Sequence, residues 1–71
     1  MMGLTLKQYR SNAGWSIGKL AEEARLTFYA VSNAENGKAV RAATARAIAD
    51  ALSRRFNREI LVSDIEGLNV L

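Results

Sequence analysis

Between Leu4 and Ser53 apolar residues recur at spacings of three and four, the period of amphipathic helices, and hydroxyl side chains and glycines punctuate the pattern. Thr5 stands where it caps a helix over residues 6–13, in which Leu6, Tyr9, Arg10 and Ala13 share one face and Gly14 supplies a left-handed stop. Trp15 leads into Ser16, a second N-cap, ahead of a helix over 17–24 with Leu20, Ala21 and Ala24 on its inner face. Arg25 and Leu26 form a short turn to Thr27, a third N-cap. The helix it opens, over 28–36, buries Val31 and Ala34 and closes on Asn36-Gly37. Past a loop through Arg41, a longer fourth helix runs to about Ser53, striped by Ala43, Ala47, Ile48, Ala51 and Leu52.

Beyond Leu52 the periodicity fades. Arg54, Arg55, Asn57 and Arg58 read as an exposed connection, Ile60-Leu61-Val62 as an extended approach, and Ser63 through Glu66 as a short capped helical turn before Gly67. Leu68-Asn69-Val70-Leu71 is apolar for a terminus, and it either completes the core or meets a partner chain. The expectation is one domain over residues 1–71, with a core at 4–53 and an extension at 54–71 available for dimerisation. Its fold class is all-α, a compact bundle of four to five short helices.

Composition narrows the chemistry. Cys and His are absent, which removes disulfides, thiolate nucleophiles, imidazole bases and the usual zinc ligands. The few carboxylates are scattered and no nucleophile has a base beside it, so the chain reads as not an enzyme, with no cofactor and no metal. No apolar run approaches the roughly 18 residues of a membrane helix and no secretion signal opens the chain, which predicts a cytoplasmic protein. The net charge of +3 is unevenly spread. Residues 1–46 hold seven basic and three acidic groups, residues 47–71 three and four, so the positive field belongs to the first part.

Two short helices joined by a tight turn, the second opening on a capping hydroxyl, suit a protein that pushes one helix end into the major groove while the other braces on the backbone. That geometry needs Ala21 small at the helix crossing, Leu26 at the corner, and Val31 holding the reading helix down. Phosphate contacts are expected from Ser16 and Ile17 through backbone N–H groups, and from Lys19, Asn36, Lys38, Arg41 and Thr44, with Lys19 and Lys38 foremost and Arg25 a further candidate. Arg54, Arg55 and Arg58 read as solvated or dimer-rim residues. Tyr9, Trp15 and Leu52 read as core.

The carriers of a family likeness are Leu6-Lys7-Gln8-Tyr9-Arg10, Gly14-Trp15-Ser16, Leu20-Ala21, Leu26-Thr27, Val31-Ser32, Glu35-Asn36-Gly37-Lys38 and Ile48-Ala49-Asp50-Ala51-Leu52. In their order and spacing, over about residues 4–53, the chain resembles the Cro/cI-type helix-turn-helix proteins, the XRE family, which includes the lambdoid repressors. The resemblance implies a lambda-repressor-like domain that binds operator DNA as a homodimer to regulate transcription. It also implies that the opening of the third helix, Thr27, Phe28, Tyr29, Ser32 and Asn33, faces the bases. Asn33 then suits an adenine edge, Ser32 a single hydrogen bond, and Phe28 and Tyr29 thymine methyls, unless one aromatic folds back onto the second helix as core. Arg10 and Glu35 pair between the first and third helices in that family, and both are assigned to structure.

Three departures stand out. Ile17 occupies a position often held by Gln beside Gly18, Arg25 stands where the turn commonly carries a left-handed Gly, and Val40-Arg41 replaces the frequent Pro and Ser cap before the fourth helix. The leading reading is a sequence-specific repressor or Cro-like controller on a palindromic double-stranded operator. Alternatives are an antitoxin that binds DNA and a toxin partner, a recombination accessory factor, or an interaction module derived from this fold.

Overall fold

The computed structural model describes residues 3–71; residues 1 and 2 of the expected domain lie outside the described residues. Its elements in chain order are β1 (Leu4–Thr5), α1 (Leu6–Ala13), α2 (Ile17–Ala24), α3 (Phe28–Glu35), α4 (Ala42–Phe56), a 3-10 turn (Val62–Asp64) and β2 (Ile65–Glu66). The bundle has four α-helices, and its only sheet among the described residues is one short parallel pair.

The three expected N-caps are in place. Thr5, Ser16 and Thr27 hold extended backbone angles, and each hydroxyl oxygen accepts from the amide three residues on: Gln8, Lys19 and Ala30. At Thr5 the Gln8 side chain returns the bond to the cap's own amide, completing a capping box. All four helices end the same way. The amides of Trp15, Leu26, Lys38 and Arg58 reach back to the carbonyls of Arg10, Ala21, Asn33 and Ser53, around a left-handed residue that closes the last turn. Glycine fills that position at Gly14 and Gly37, where a positive φ carries no Cβ penalty, but Arg25 (φ 59°) and Asn57 (φ 53°) fill it after α2 and α4.

The core is one cluster in which Leu20, Val31, Ile48 and Leu52 are wholly buried. Tyr9 joins it from α1, with its ring 6.3 Å from that of Phe56, and Trp15, Ile17 and Leu26 pack against it partly exposed. The buried stripe of α4 is Ala45, Ile48, Ala49, Ala51 and Leu52. Ile48, Ala51 and Leu52 match expectation, but Ala43 is exposed, Ala47 is half-buried, and Ala45 and Ala49 take the inner positions. With alanine at so many sites the apolar pattern of this helix fits more than one rotation about its axis, and packing against α1, α2 and α3 selects one.

Two helix ends shift. α3 stops at Glu35, since Asn36 (φ −82°, ψ 4°) already leaves helical geometry. α4 continues past Ser53 to Phe56, so Arg54 and Arg55 belong to the helix rather than to a connection. Nor are those two arginines merely solvated. Arg54 donates to the carbonyl of Glu23 at 2.9 Å and Arg55 to that of Ala13 at 3.2 Å, so each serves the C-terminal end of another helix.

The extension wraps the bundle. Ser53 Oγ sits 2.7 Å from the Ala49 carbonyl and accepts from the Ile60 amide at 2.8 Å, which brings buried Ile60 onto the core. The turn at 62–64 is capped by Asp64, whose carboxylate accepts from the Leu61 amide at 2.9 Å, and not by Ser63. Ile65 and Glu66 are strand rather than helical turn, because they pair with Leu4 and Thr5, distant in sequence. Gly3 lets those strands approach: a Cβ there would stand 2.8 Å from the Asp64 carbonyl oxygen. The apolar tail divides: Leu68 packs on the core, while Val70 and Leu71 stay exposed, and Val70 bridges to Val40 through Val40 N–H to Asn69 O and Leu71 N–H to Val40 O, both 2.8 Å.

Candidate nucleic-acid interface

α3 has an inner and an outer face. Val31 and Ala34 are buried, whereas Phe28, Tyr29, Ser32 and Asn33, spaced at i, i+1, i+4 and i+5, run along the other side. Asn33 and Thr27 are exposed and Ser32 is half-buried. Neither aromatic folds back as core. Phe28 is 52% and Tyr29 76% exposed, and their rings meet edge to face, 5.9 Å between centroids.

The only charged side chain of α3, Glu35, points inward. Its carboxylate makes a two-pronged pair with Arg10, through Nε to Oε2 and through Nη2 to Oε1, the latter 3.1 Å. Arg10 also donates from Nη1 to the Trp15 carbonyl at 2.9 Å. The two side chains are 14% and 8% exposed, so the pair is nearly dry, and the hydrogen bonds that Arg10 donates to Glu35 shift its guanidinium further toward the charged form. This pair bolts the end of α3 to α1 and leaves the outer face of α3 without negative charge.

Around that face the expected phosphate contacts divide. Ser16 Oγ occupies the Lys19 amide, which leaves the amides of Ile17 and Gly18, without helical partners, at the start of α2; the Ile17 side chain itself packs on the core. Lys19 is not a free cation: its ammonium lies 3.2 Å from Glu23 and 3.3 Å from Glu22. Those hydrogen bonds, Glu23 first, raise its pKa above the ordinary lysine value and keep it charged, but any phosphate must compete with its own helix for it. Asn36, Lys38 and Arg41 sit exposed in the α3–α4 loop, and among the described residues Lys38 and Arg41 form no ion pair. Arg41 is the N-cap of α4 and gives no side-chain cap bond, so the first amides of that helix, beside half-buried Thr44, stay uncapped.

The loop bearing Lys38 and Arg41 is braced by the tail. Val40 is sandwiched into the Asn69–Leu71 backbone pairing, and the Asn69 amide side chain reaches the Gly37 carbonyl at 3.4 Å. Sequence reasoning missed this support because the pairing partners are far apart in the chain. A broad groove elsewhere, between α4 and residues 57–63, is lined by Arg46, Asp50, Arg54 and Arg58 and by none of the residues named for α3 or its flanks. Among the described residues no cluster of carboxylates could hold a metal ion, and no helix is long and apolar enough to cross a membrane.

A family model described as a helix-turn-helix domain matches residues 2–54, from β1 through most of α4. No curated protein and no solved structure matches the chain.

Proposed function

The chain belongs to the helix-turn-helix domain family, and on that premise we propose that it is a sequence-specific DNA-binding transcriptional regulator of the repressor or Cro-like kind. It acts by binding, not catalysis. α3 enters the major groove with Thr27, Phe28, Tyr29, Ser32 and Asn33 toward the bases. The start of α2 and the loop carrying Asn36, Lys38 and Arg41 rest on the phosphates. The single observation that carries this reading is the outer face of α3: exposed, free of negative charge because Glu35 is turned onto Arg10, and bordered by the unpaired cations Lys38 and Arg41.

One eight-residue helix covers few base pairs, so the working form is a homodimer on a palindromic operator with half-sites about one helical turn apart. The cytoplasm is its compartment. Sedimentation at micromolar concentration that shows only monomer, with and without DNA, would count against the dimer.

Selection of bound duplexes from a random pool tests the reading directly, and half-site spacing emerges from the same data. On the selected site Asn33→Ala relaxes preference at one base pair by roughly 1–3 kcal/mol, while Lys38→Ala weakens all sequences alike and lowers the salt slope by about one. Equal behaviour of the two variants contradicts the assigned roles. No salt-sensitive binding to any duplex at low ionic strength rejects DNA binding altogether.

A further inference from the structure

The first turn of α3 presents carbon where a base reader ordinarily presents hydrogen-bonding groups. Phe28 and Tyr29 are more than half exposed, lie outside the hydrophobic core, and hold each other edge to face at an interplanar angle of 83°. Single exposed apolar residues such as Leu61 and Leu71 are ordinary, but two adjacent aromatics in mutual contact and in water form an apolar patch of the kind found at contact surfaces.

The polar groups beside them are largely engaged. Thr27 Oγ1 accepts from the Ala30 amide at 3.1 Å, Ser32 is half-buried and Glu35 is committed to Arg10. Asn33, the Tyr29 hydroxyl and the unspent O–H of Thr27 are the exposed polar groups left on this face. α3 contains no Arg or Lys, the side chains that pair with both acceptors of a guanine edge. The one apolar feature on a major-groove base edge is the C5-methyl group of thymine, and 5-methylcytosine carries the same group at the same place.

We infer that the Phe28–Tyr29 pair is a reader of pyrimidine C5-methyl groups, an inference that rests on the major-groove reading above and narrows its ligand. Site preference then depends on methyl groups as well as on the base-edge hydrogen bonds of Asn33, and binding responds to cytosine methylation wherever a cytosine falls under the pair.

The test uses the full chain and a duplex from the random-pool selection, with anisotropy titrations at one fixed salt concentration. Each thymine is replaced singly by deoxyuridine, which keeps base pairing and removes one methyl, and each cytosine singly by 5-methylcytosine. The expected result is a loss of about fourfold at one or two thymines, the equivalent of one methyl group returned to water. That loss shrinks to nothing in Phe28→Ala or Tyr29→Ala and persists in Tyr29→Phe. Both side chains are exposed, so far-UV circular dichroism of these variants matches that of the parent. Affinities indifferent to every deoxyuridine overturn the inference while leaving DNA binding intact, as does a methyl effect of equal size in both alanine variants. A parent chain that binds no duplex overturns the major-groove reading and the inference together.

Discussion

Residues 16–38 and residues 57–71 are ordered by different means. In the first segment the caps and turns are local: Ser16 caps with Lys19, Arg25 turns the chain between Ala21 and Leu26, Thr27 caps with Ala30, and Gly37 closes α3 onto Asn33. In the second segment the main constraints reach far along the chain: Ile65 pairs with Leu4, and Asn69 and Leu71 clasp Val40, while Ile60 hangs on Ser53 at the end of α4. The helix-turn-helix unit is shaped by its own turns, whereas the wrap exists only on a bundle already assembled. The wrap nonetheless reaches the proposed DNA-facing surface, because Val40 belongs to the loop that carries Lys38 and Arg41.

The Arg10–Glu35 pair is the sharpest exception to the local character of residues 16–38, and its removal has the largest expected effect. Glu35→Ala leaves a nearly buried guanidinium without its carboxylate and should lower unfolding free energy by roughly 3–5 kcal/mol in urea titrations. A loss below about 1 kcal/mol, the scale of an exposed pair, would show that capping alone secures α3.

In the wrap, Ile65→Ala removes a buried side chain and should cost about 3 kcal/mol. Trp15 fluorescence and far-UV circular dichroism should still trace one coincident transition if wrap and bundle unfold together. Two separated transitions would break the comparison in favour of an independent bundle. Ser53→Ala orphans the Ile60 amide for a cost of about 1–2 kcal/mol, and faster hydrogen exchange at Ile60 than at the α4 amides is its signature. The smallest effect is a gain. Arg25→Gly relieves a left-handed residue and should stabilise the chain by about 1 kcal/mol in the same titrations; a loss would mean that the arginine side chain supports the turn.

Most of the bundle is legible in the sequence, and the reasons lie in particular residues. Thr5, Ser16 and Thr27 announce helix starts because a hydroxyl at that position satisfies an otherwise unpaired amide, and Gly14 and Gly37 announce stops because only glycine takes a positive φ freely. Arg25 and Asn57 close their helices in the same geometry without that signal, so the sequence pattern alone ends α4 at about Ser53 rather than at Phe56. The exposure of Thr27, Phe28, Tyr29 and Asn33 along the outer side of α3 agrees with the set that the family resemblance implies. The engagement of Lys19 by Glu22 and Glu23 was present in the spacing of those residues, at three and four, but charge counting alone does not weigh a helix partner against a phosphate.

By itself the sequence determined four helices, their order, the tight turn before Thr27 and the residues on the outer face of α3, because caps, stops and apolar period act over a few positions along the chain. Only the tertiary structure decided the rotation of alanine-rich α4, the service of Arg54 and Arg55 to the ends of α2 and α1, and the threading of residues 57–71 past Leu4 to Val40. Those features depend on backbone groups and small side chains that meet across the fold, and such encounters leave no periodicity in the sequence that makes them.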